Sequence, residues 1–175
     1  ARYAGMDNTL GDANVRLIDI DAVNVLGLDT SDKNYADDVI TKELHLPVGK
    51  RVHFRIRSQD VLHSAYMPHF RAQMNCVPGM VTEFSFIPTV TTEEMRKDEK
   101  IVAKIKNINA LRSERRKAGE DAEPYEFDYL LLCNKICGQS HYNMQMKIIV
   151  DTPEDFAAWM RTQDKAKDVI ALAGN

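Results

Sequence analysis

Two cysteines, a histidine and a methionine lie close together in the last third of the chain, at a spacing that suits a metal site. Cys133, Cys137, His141 and Met144 form the pattern Cys-x3-Cys-x3-His-x2-Met. Soft sulfur donors combined with imidazole favour copper over hard cations, and a thioether is a ligand mostly found on copper and haem. A structural zinc site usually has only cysteine and histidine ligands. The pattern therefore indicates copper.

The second cysteine changes the expected number of metal ions. One cysteine, one histidine and one methionine on such a loop, with a distant histidine, would describe a single blue-copper ion. Two thiolates can instead bridge two ions. His63 is the candidate for the second imidazole, and Met144 and the backbone carbonyl of Lys135 are the candidates for two weak ligands. This set would complete a pair of copper ions.

The same residues have simpler interpretations. A Cys-x3-Cys pair alone is more typical of a disulfide or of two buried thiols, and its combination with His141, Met144 and an upstream histidine favours a metal. Met146 shares a strand face with Met144 and is predicted to fill the core. The other histidines are expected to lie at the surface or an edge (His45 and His53) or to support the site or a docking surface (His69).

The residues around these ligands resemble the extramembrane domain of cytochrome c oxidase subunit II, the family that carries the dinuclear copper A centre. The resemblance rests on the segments 60–64 (Asp-Val-Leu-His-Ser), 77–79 (Val-Pro-Gly) and 133–144. It implies a cupredoxin fold, no catalytic residue, and two copper ions bound by His63, Cys133, Lys135 (through its carbonyl), Cys137, His141 and Met144.

The resemblance also implies a function. The domain would accept single electrons from a c-type cytochrome and pass them to a haem in subunit I of the oxidase, where oxygen is reduced. The chain would thus be the electron-accepting subunit of an oxidoreductase and carry no oxygen chemistry of its own. It would lie on the periplasmic or intermembrane-space face of an energy-transducing membrane, held there by N-terminal membrane helices.

Two features depart from the family pattern. Lys135 replaces a glutamate that usually helps to bind magnesium at the interface with subunit I, and a cationic side chain cannot bind a divalent cation in that way, so the magnesium site is not carried over. The only tryptophan, Trp159, lies near the C-terminus and does not match the aromatic residue through which the family accepts electrons. Since the chain also has no run of eighteen apolar residues, we expect a fragment or processed product of subunit II.

Three other classes of protein fit less well. Nitrous-oxide reductase has the same dicopper domain, but fused to a large histidine-rich catalytic domain that this sequence does not include. A copper delivery or storage protein would more typically offer exposed Met/Cys pairs than ligands separated by seventy residues. The corresponding subunit of a quinol oxidase keeps the fold and lacks the ligands.

Length and charge suit one mainly β domain. The chain has 175 residues and a formal net charge of −3, which gives no indication of a nucleic-acid partner. Asp37, Asp38 and Asp60 are the candidates for an acidic patch that steers a basic partner, although such carboxylates are often ordinary solvated surface. If copper takes two of the three cysteines, Cys76 remains as a free, buried thiol.

Short strands must position these ligands. Apolar residues alternate with polar ones over residues 43–46, 51–57, 80–86, 125–132 and 145–150, with turn signals at 47–50 and 77–79. The copper loop would join the last two strands. We therefore predict an all-β, cupredoxin-like Greek-key sandwich or barrel over residues 1–151.

Two helical segments interrupt or follow the strands. Residues 91–119 are predicted to form an inserted amphipathic helix, from about 92 to 118, with Thr92 as its cap and Gly119 as its end. This helix would pack on the side of the domain or dock another subunit. Residues 152–175 are predicted to form a C-terminal helical tail, with Pro153 at its first helical position.

Overall fold

A computed structural model describes residues 1–5, 8–21 and 24–173, so the last two residues of the predicted tail lie outside it. The described chain divides into two compact units, residues 1–44 with 154–175 and residues 45–153. Its strands are β1 (Arg2–Tyr3), β2 (Val39–Ile40), β3 (Leu44–Pro47), β4 (Val52–Ile56), β5 (His63–Met67), β6 (Ala72–Cys76), β7 (Thr82–Phe86), β8 (Tyr129–Cys133) and β9 (Gln145–Asp151). Its α-helices are α1 (Thr92–Lys97), α2 (Glu99–Lys117), α3 (Pro153–Thr162) and α4 (Ala166–Ala173).

A five-stranded sheet forms the centre of the larger unit. Its strand order is β3-β9-β8-β5-β6, and β5 pairs antiparallel with both β6 and β8. Strands β8 and β9, which flank the cysteine loop, also pair antiparallel. Met67, Ile148 and Val150 on these strands are fully buried. The sheet therefore holds both ends of the loop on a rigid base.

Strands β4 and β7 form a separate antiparallel pair. The pairing runs from Val52 opposite Phe86 to Ile56 opposite Thr82. Phe54 stacks on Phe84 and Phe86, with ring centroids 5.0 and 5.4 Å away, so the aromatic residues predicted to share a face do so. The prediction of a mainly β protein with a helical insertion and a C-terminal helix is confirmed.

The strand expected over residues 125–132 begins later, at Tyr129. Asn109 of α2 holds the backbone of Tyr125 through two hydrogen bonds, of 2.6 and 3.0 Å. Arg96 of α1 donates to the carbonyl of Phe127 and to Asp128. Because helix side chains bind this backbone, it does not pair with a neighbouring strand.

The inserted segment forms two helices, with a cap one residue earlier than predicted. Thr91, and not Thr92, caps α1 through a reciprocal pair of hydrogen bonds with Glu94. Asp98 has an extended backbone and caps α2, which separates the two helices. Leu111 of α2 is 70% exposed, so the predicted amphipathic pattern is only partly realised. None of the described helices is long and apolar enough to cross a membrane.

The smaller unit brings the N-terminal residues together with the C-terminal helices. Strand β1 pairs with β2, and the ring of Tyr3 meets Trp159 of α3 edge-on at 5.4 Å. The backbone N–H of Ala166 donates to the carbonyl of Asp38 at 2.7 Å. These contacts hold residues 1–44 and the C-terminal helices in one compact unit, and the predicted domain over residues 1–151 stays a prediction.

His45 was predicted to be a surface or edge residue; the edge position is correct, because β3 is an edge strand of the five-stranded sheet, but the residue is buried. It lies on β3 and is only 7% exposed. Its Nδ1 lies 2.6 Å from Oδ2 of Asp151 at the end of β9. The hydrogen bond explains how a polar ring is accommodated in a buried position. His53, on the solvent side of β4, is exposed as expected.

Candidate metal centre

Adjacent strands hold the first two candidate ligands. His63 is the first residue of β5 and Cys133 the last residue of β8. The two strands pair with Ala65 opposite Cys133, which places the ends that carry His63 and Cys133 side by side. The geometry of this half of the site is therefore set by the sheet.

The segment from residue 134 to 144 supplies the other ligands. Its ends are joined by a hydrogen bond from the N–H of Cys133 to the carbonyl of Met144, at 3.1 Å. Within the loop, His141 starts a short 3-10 helix, and its N–H donates to the carbonyl of Gly138. Gly138 has a φ of 145°, which favours glycine at this bend.

The predicted ligand atoms meet in one cluster. The two sulfurs of Cys133 and Cys137 lie 3.7 Å apart, and both cysteines are free thiols. The sulfur of Cys133 lies 3.8 Å from Nδ1 of His63 and 3.3 Å from the carbonyl oxygen of Lys135. The sulfur of Cys137 lies 3.5 Å from Nδ1 of His141 and 3.2 Å from the sulfur of Met144. Each sulfur thus has its own imidazole and its own weak donor.

The two thiols have opposite pKa shifts. Burial raises the pKa of Cys133, but hydrogen bonds with the backbone of Ser64 and Lys135 and with His63 and Cys137 outweigh it and lower the pKa to about 6. The pKa of Cys137 is raised by burial and by the neighbouring Cys133 thiolate. Since the thiolate is the form that binds metals, Cys133 is largely ready to bind at neutral pH.

Asp60 contacts the outer side of the His63 ring. Its Oδ1 lies 2.7 Å from Nε2 of His63, and this hydrogen bond raises the pKa of His63 and lowers the pKa of Asp60. The sequence indicated Asp60 only as a docking candidate, and this contact was not predicted. The available signal was the spacing of three residues between a carboxylate and a metal-ligand candidate.

One of the three acidic docking candidates is wrong. Asp38 is fully buried; its carboxylate accepts from the N–H of Gly11 and lies 3.3 Å from Arg2. A side chain without exposed surface cannot contact a partner protein. Asp37 is half-buried in the smaller unit and Asp60 is exposed in the larger one, and both stay predictions.

Two other residues considered from the sequence lie outside the cluster. Cys76 is buried, and burial raises its pKa, which keeps the thiol protonated and is consistent with a structural role. His69 follows the end of β5 opposite to His63, and its ring packs edge-on against Phe127 and Tyr129. His69 therefore packs against the aromatic core, away from the ligand-bearing ends of the strands.

The loop also exposes apolar side chains that sequence analysis did not single out. Ile136 and Tyr142, on either side of Cys137 and His141, are 92% and 89% exposed. Val61 and Leu62, which precede His63, are exposed as well. The ligand-bearing segments thus expose several apolar side chains beside the charged residues Asp60 and Lys135.

Comparisons with known proteins agree on one family. The family model of the periplasmic domain of cytochrome c oxidase subunit II matches residues 9–94, a segment that includes His63 and ends before Cys133. The alternative cytochrome c oxidase subunit 2 of Bradyrhizobium diazoefficiens is 36% identical over 175 residues, which cover 99% of this chain and 49% of that protein. Cytochrome c oxidase subunit 2 of Thermostichus vulcanus is 30% identical over 123 residues, covering 70% of this chain and 27% of that protein.

The chain therefore spans about half the length of the first relative and about a quarter of the second. Among solved structures, the periplasmic domain of subunit II of cytochrome oxidase (CoxB) of Bradyrhizobium japonicum is similar at a TM-score of 0.47 and 20% identity. That alignment covers 70% of this chain and 63% of the other.

Proposed function

Because the chain belongs to the cytochrome c oxidase subunit II family, we propose that it is the electron-accepting domain of a haem-copper oxidase. It would take single electrons from a c-type cytochrome and pass them to a haem in subunit I, where oxygen is reduced. It would stand on the outer face of the membrane, since the matching family model describes a periplasmic domain.

The observation that carries the proposal is the pairing of donors around two adjacent thiols. Two sulfurs at 3.7 Å, each with an imidazole nitrogen within 3.8 Å, suit two metal ions that share both thiolates. The donor set is soft, with no carboxylate oxygen among the clustered ligand atoms, as copper prefers. The residues present therefore fit a dinuclear copper centre.

Each ligand has a separate task in this proposal. Cys133 and Cys137 would hold both ions, and His63 and His141 would each hold one of them. Met144 and the carbonyl of Lys135 would act as weak ligands that adjust the reduction potential. When bound, the copper pair would supply a one-electron couple with a small change in structure between its two oxidation states. The strands and the closed loop keep these side chains in place and leave no open position for a substrate.

Metal analysis and spectroscopy test the proposal. The copper-loaded protein should contain two coppers per chain and give a purple, mixed-valence, seven-line EPR spectrum. Cys133→Ser and Cys137→Ser should each abolish that spectrum. One copper per chain, or zinc bound in its place, would exclude the dinuclear assignment.

The electron donor is expected to dock by a surface that carries negative charge. Its association rate should then fall with ionic strength as the screening length decreases from about 10 Å at 0.1 M salt to about 3 Å at 1 M. Asp37→Lys is the suitable charge reversal, because Asp60 also contacts a ligand histidine. Stopped-flow rates that respond neither to salt nor to Asp37→Lys would exclude an acidic docking patch.

The side chain of Lys135 gives the interface with subunit I a positive charge where the family usually has a glutamate. The side chain is exposed, while its carbonyl faces Cys133. We therefore propose that the carbonyl serves the copper pair and that no magnesium is bound through this residue. Metal analysis of the assembled oxidase tests this proposal. Magnesium found bound through Lys135 would contradict it, because a lysine would then have to act as a cation ligand.

A further inference from the structure

The contact between Asp60 and His63 suggests a role that docking does not explain. We infer that Asp60 is a positioning residue, which fixes the tautomer and the ring orientation of His63 so that Nδ1 faces the metal. The inference rests on the proposed copper centre and deepens it. It concerns how this chain prepares one of its own ligands before metal arrives.

The two nitrogens of His63 face different partners. Nδ1 lies 3.8 Å from the sulfur of Cys133, and Nε2 lies 2.7 Å from Oδ1 of Asp60. Both Asp60 and the Cys133 thiolate can accept the single proton of a neutral imidazole, and the carboxylate is the closer acceptor, at 2.7 Å against 3.8 Å, so the proton is assigned to Nε2. The lone pair on Nδ1 then points toward the cluster. A metal-bound histidine is commonly held in this way by a carboxylate on its other nitrogen.

The second histidine lacks such a partner. Nδ1 of His141 lies 3.5 Å from the sulfur of Cys137, but its Nε2 makes no hydrogen bond within the described residues. The two imidazoles therefore face the sulfurs through the same nitrogen and differ only on their outer side. This asymmetry makes His141 an internal control for any effect of Asp60.

Asp60 lies where its replacement should change the orientation of His63 without disturbing the fold. Its side chain is 67% exposed and lies in the turn between β4 and β5. The same turn is closed independently, because the hydroxyl of Ser58 donates to the carbonyl of Val61. Replacing Asp60 should consequently leave the sheet intact while freeing the ring of His63.

The experiment compares the whole chain with Asp60→Ala, Asp60→Asn and the control Asp121→Ala, which removes another exposed carboxylate. Nitrogen-15 NMR of the metal-free proteins, at a fixed pH of about 8.5 where a free imidazole is neutral, reports the tautomer of each histidine. Copper affinity is measured by competition with a chelator. In the wild type, His63 should carry its proton on Nε2.

Asp60→Ala should give a mixture of tautomers at His63 with no change at His141, and should weaken copper binding by about 10- to 100-fold. Asp60→Asn should retain the wild-type tautomer, because its amide oxygen still accepts from Nε2–H, and should bind copper within a few-fold of the wild type. An unchanged His63 tautomer in Asp60→Ala, or an equal effect from Asp121→Ala, would overturn the inference.

The two proposals fail in different ways. A wild-type protein that takes up no copper pair, but whose His63 tautomer depends on Asp60, would refute the function and leave the positioning role standing. A wild-type protein with two coppers, whose His63 is indifferent to Asp60, would refute the positioning role alone.

Discussion

The two cysteines of the candidate centre should ionise at very different pH values in the metal-free protein. The pKa of Cys133 is about 6, against an ordinary value of 9.0, and the pKa of Cys137 is raised above 9.0. At pH 7, a thiol with a pKa of 6 is about nine-tenths thiolate, and one with a pKa of 9 about one-hundredth. The pair should therefore hold about one negative charge at neutral pH.

The difference in pKa should change the pH dependence of each thiol's reaction rate strongly, but the size of the rate at neutral pH only slightly. Nucleophilicity falls with pKa with a Brønsted coefficient of about 0.5, so three pKa units cost about 30-fold per thiolate. At pH 7, the thiolate fraction of Cys133 is about 90-fold larger than that of a thiol with a pKa of 9. The two effects together leave Cys133 only about three-fold faster than such an ordinary thiol. Its rate should level off above about pH 7, whereas the rate of Cys137 should still rise.

Single-thiol variants allow each residue to be measured alone. In a Cys76→Ala background, Cys137→Ser leaves only Cys133, and Cys133→Ser leaves only Cys137. The rate of reaction with an aromatic disulfide is followed between about pH 5 and 10, together with thiolate absorbance. Cys133 should keep a low midpoint, because most of its hydrogen bonds remain. Cys137 should move toward an ordinary value, because the thiolate that raises its pKa is gone. Two midpoints near 9, or the lower one at Cys137, would refute the reasoning.

Three further substitutions separate the roles of neighbouring residues. Met144→Leu should shift the reduction potential and leave two coppers bound, because an axial thioether is a weak ligand; loss of one copper would contradict this. Cys76→Ala should leave copper content and the EPR spectrum unchanged and lower the free energy of unfolding by roughly 1 kcal/mol; a lost copper signal would make Cys76 a ligand. His45→Ala should lower the free energy of unfolding by about 1–3 kcal/mol, because it removes the 2.6 Å contact with Asp151; an unchanged urea midpoint would contradict that.

The ligand loop could be predicted from sequence because its chemistry is local. Four candidate side-chain ligands fall in the segment from Cys133 to Met144, so their spacing alone indicates a common site. Strands β4 and β9 were predicted within about one residue at each end, since their apolar residues alternate clearly. Strand β6 was missed although Ala72, Met74 and Cys76 alternate with polar residues.

Contacts between distant segments could not be predicted in the same way. The alternation of apolar residues shows which face of a strand is apolar. It does not show which distant side chain will form an ion pair or hydrogen bond with a buried polar residue. Asp38 is buried because Arg2, 36 residues earlier in the sequence, lies beside it. His45 is buried because Asp151 reaches it across 106 residues. Asp38 was assigned to an exposed docking patch and His45 to a surface or edge position, and the burial of each depends on a partner that only the fold provides.

The fold of the candidate centre should not depend on the metal. Cys133 and His63 are carried by paired strands, and the ends of the loop are joined by the hydrogen bond between Cys133 N–H and the Met144 carbonyl. These contacts use the backbone, so replacing a thiol leaves them in place. Metal-free Cys133→Ser should therefore unfold within about 1 kcal/mol of the metal-free wild type in a urea titration, while it loses the copper spectrum. A variant that unfolded far more easily would mean that the thiol is needed to build the loop, and loss of copper could then no longer be attributed to loss of a ligand.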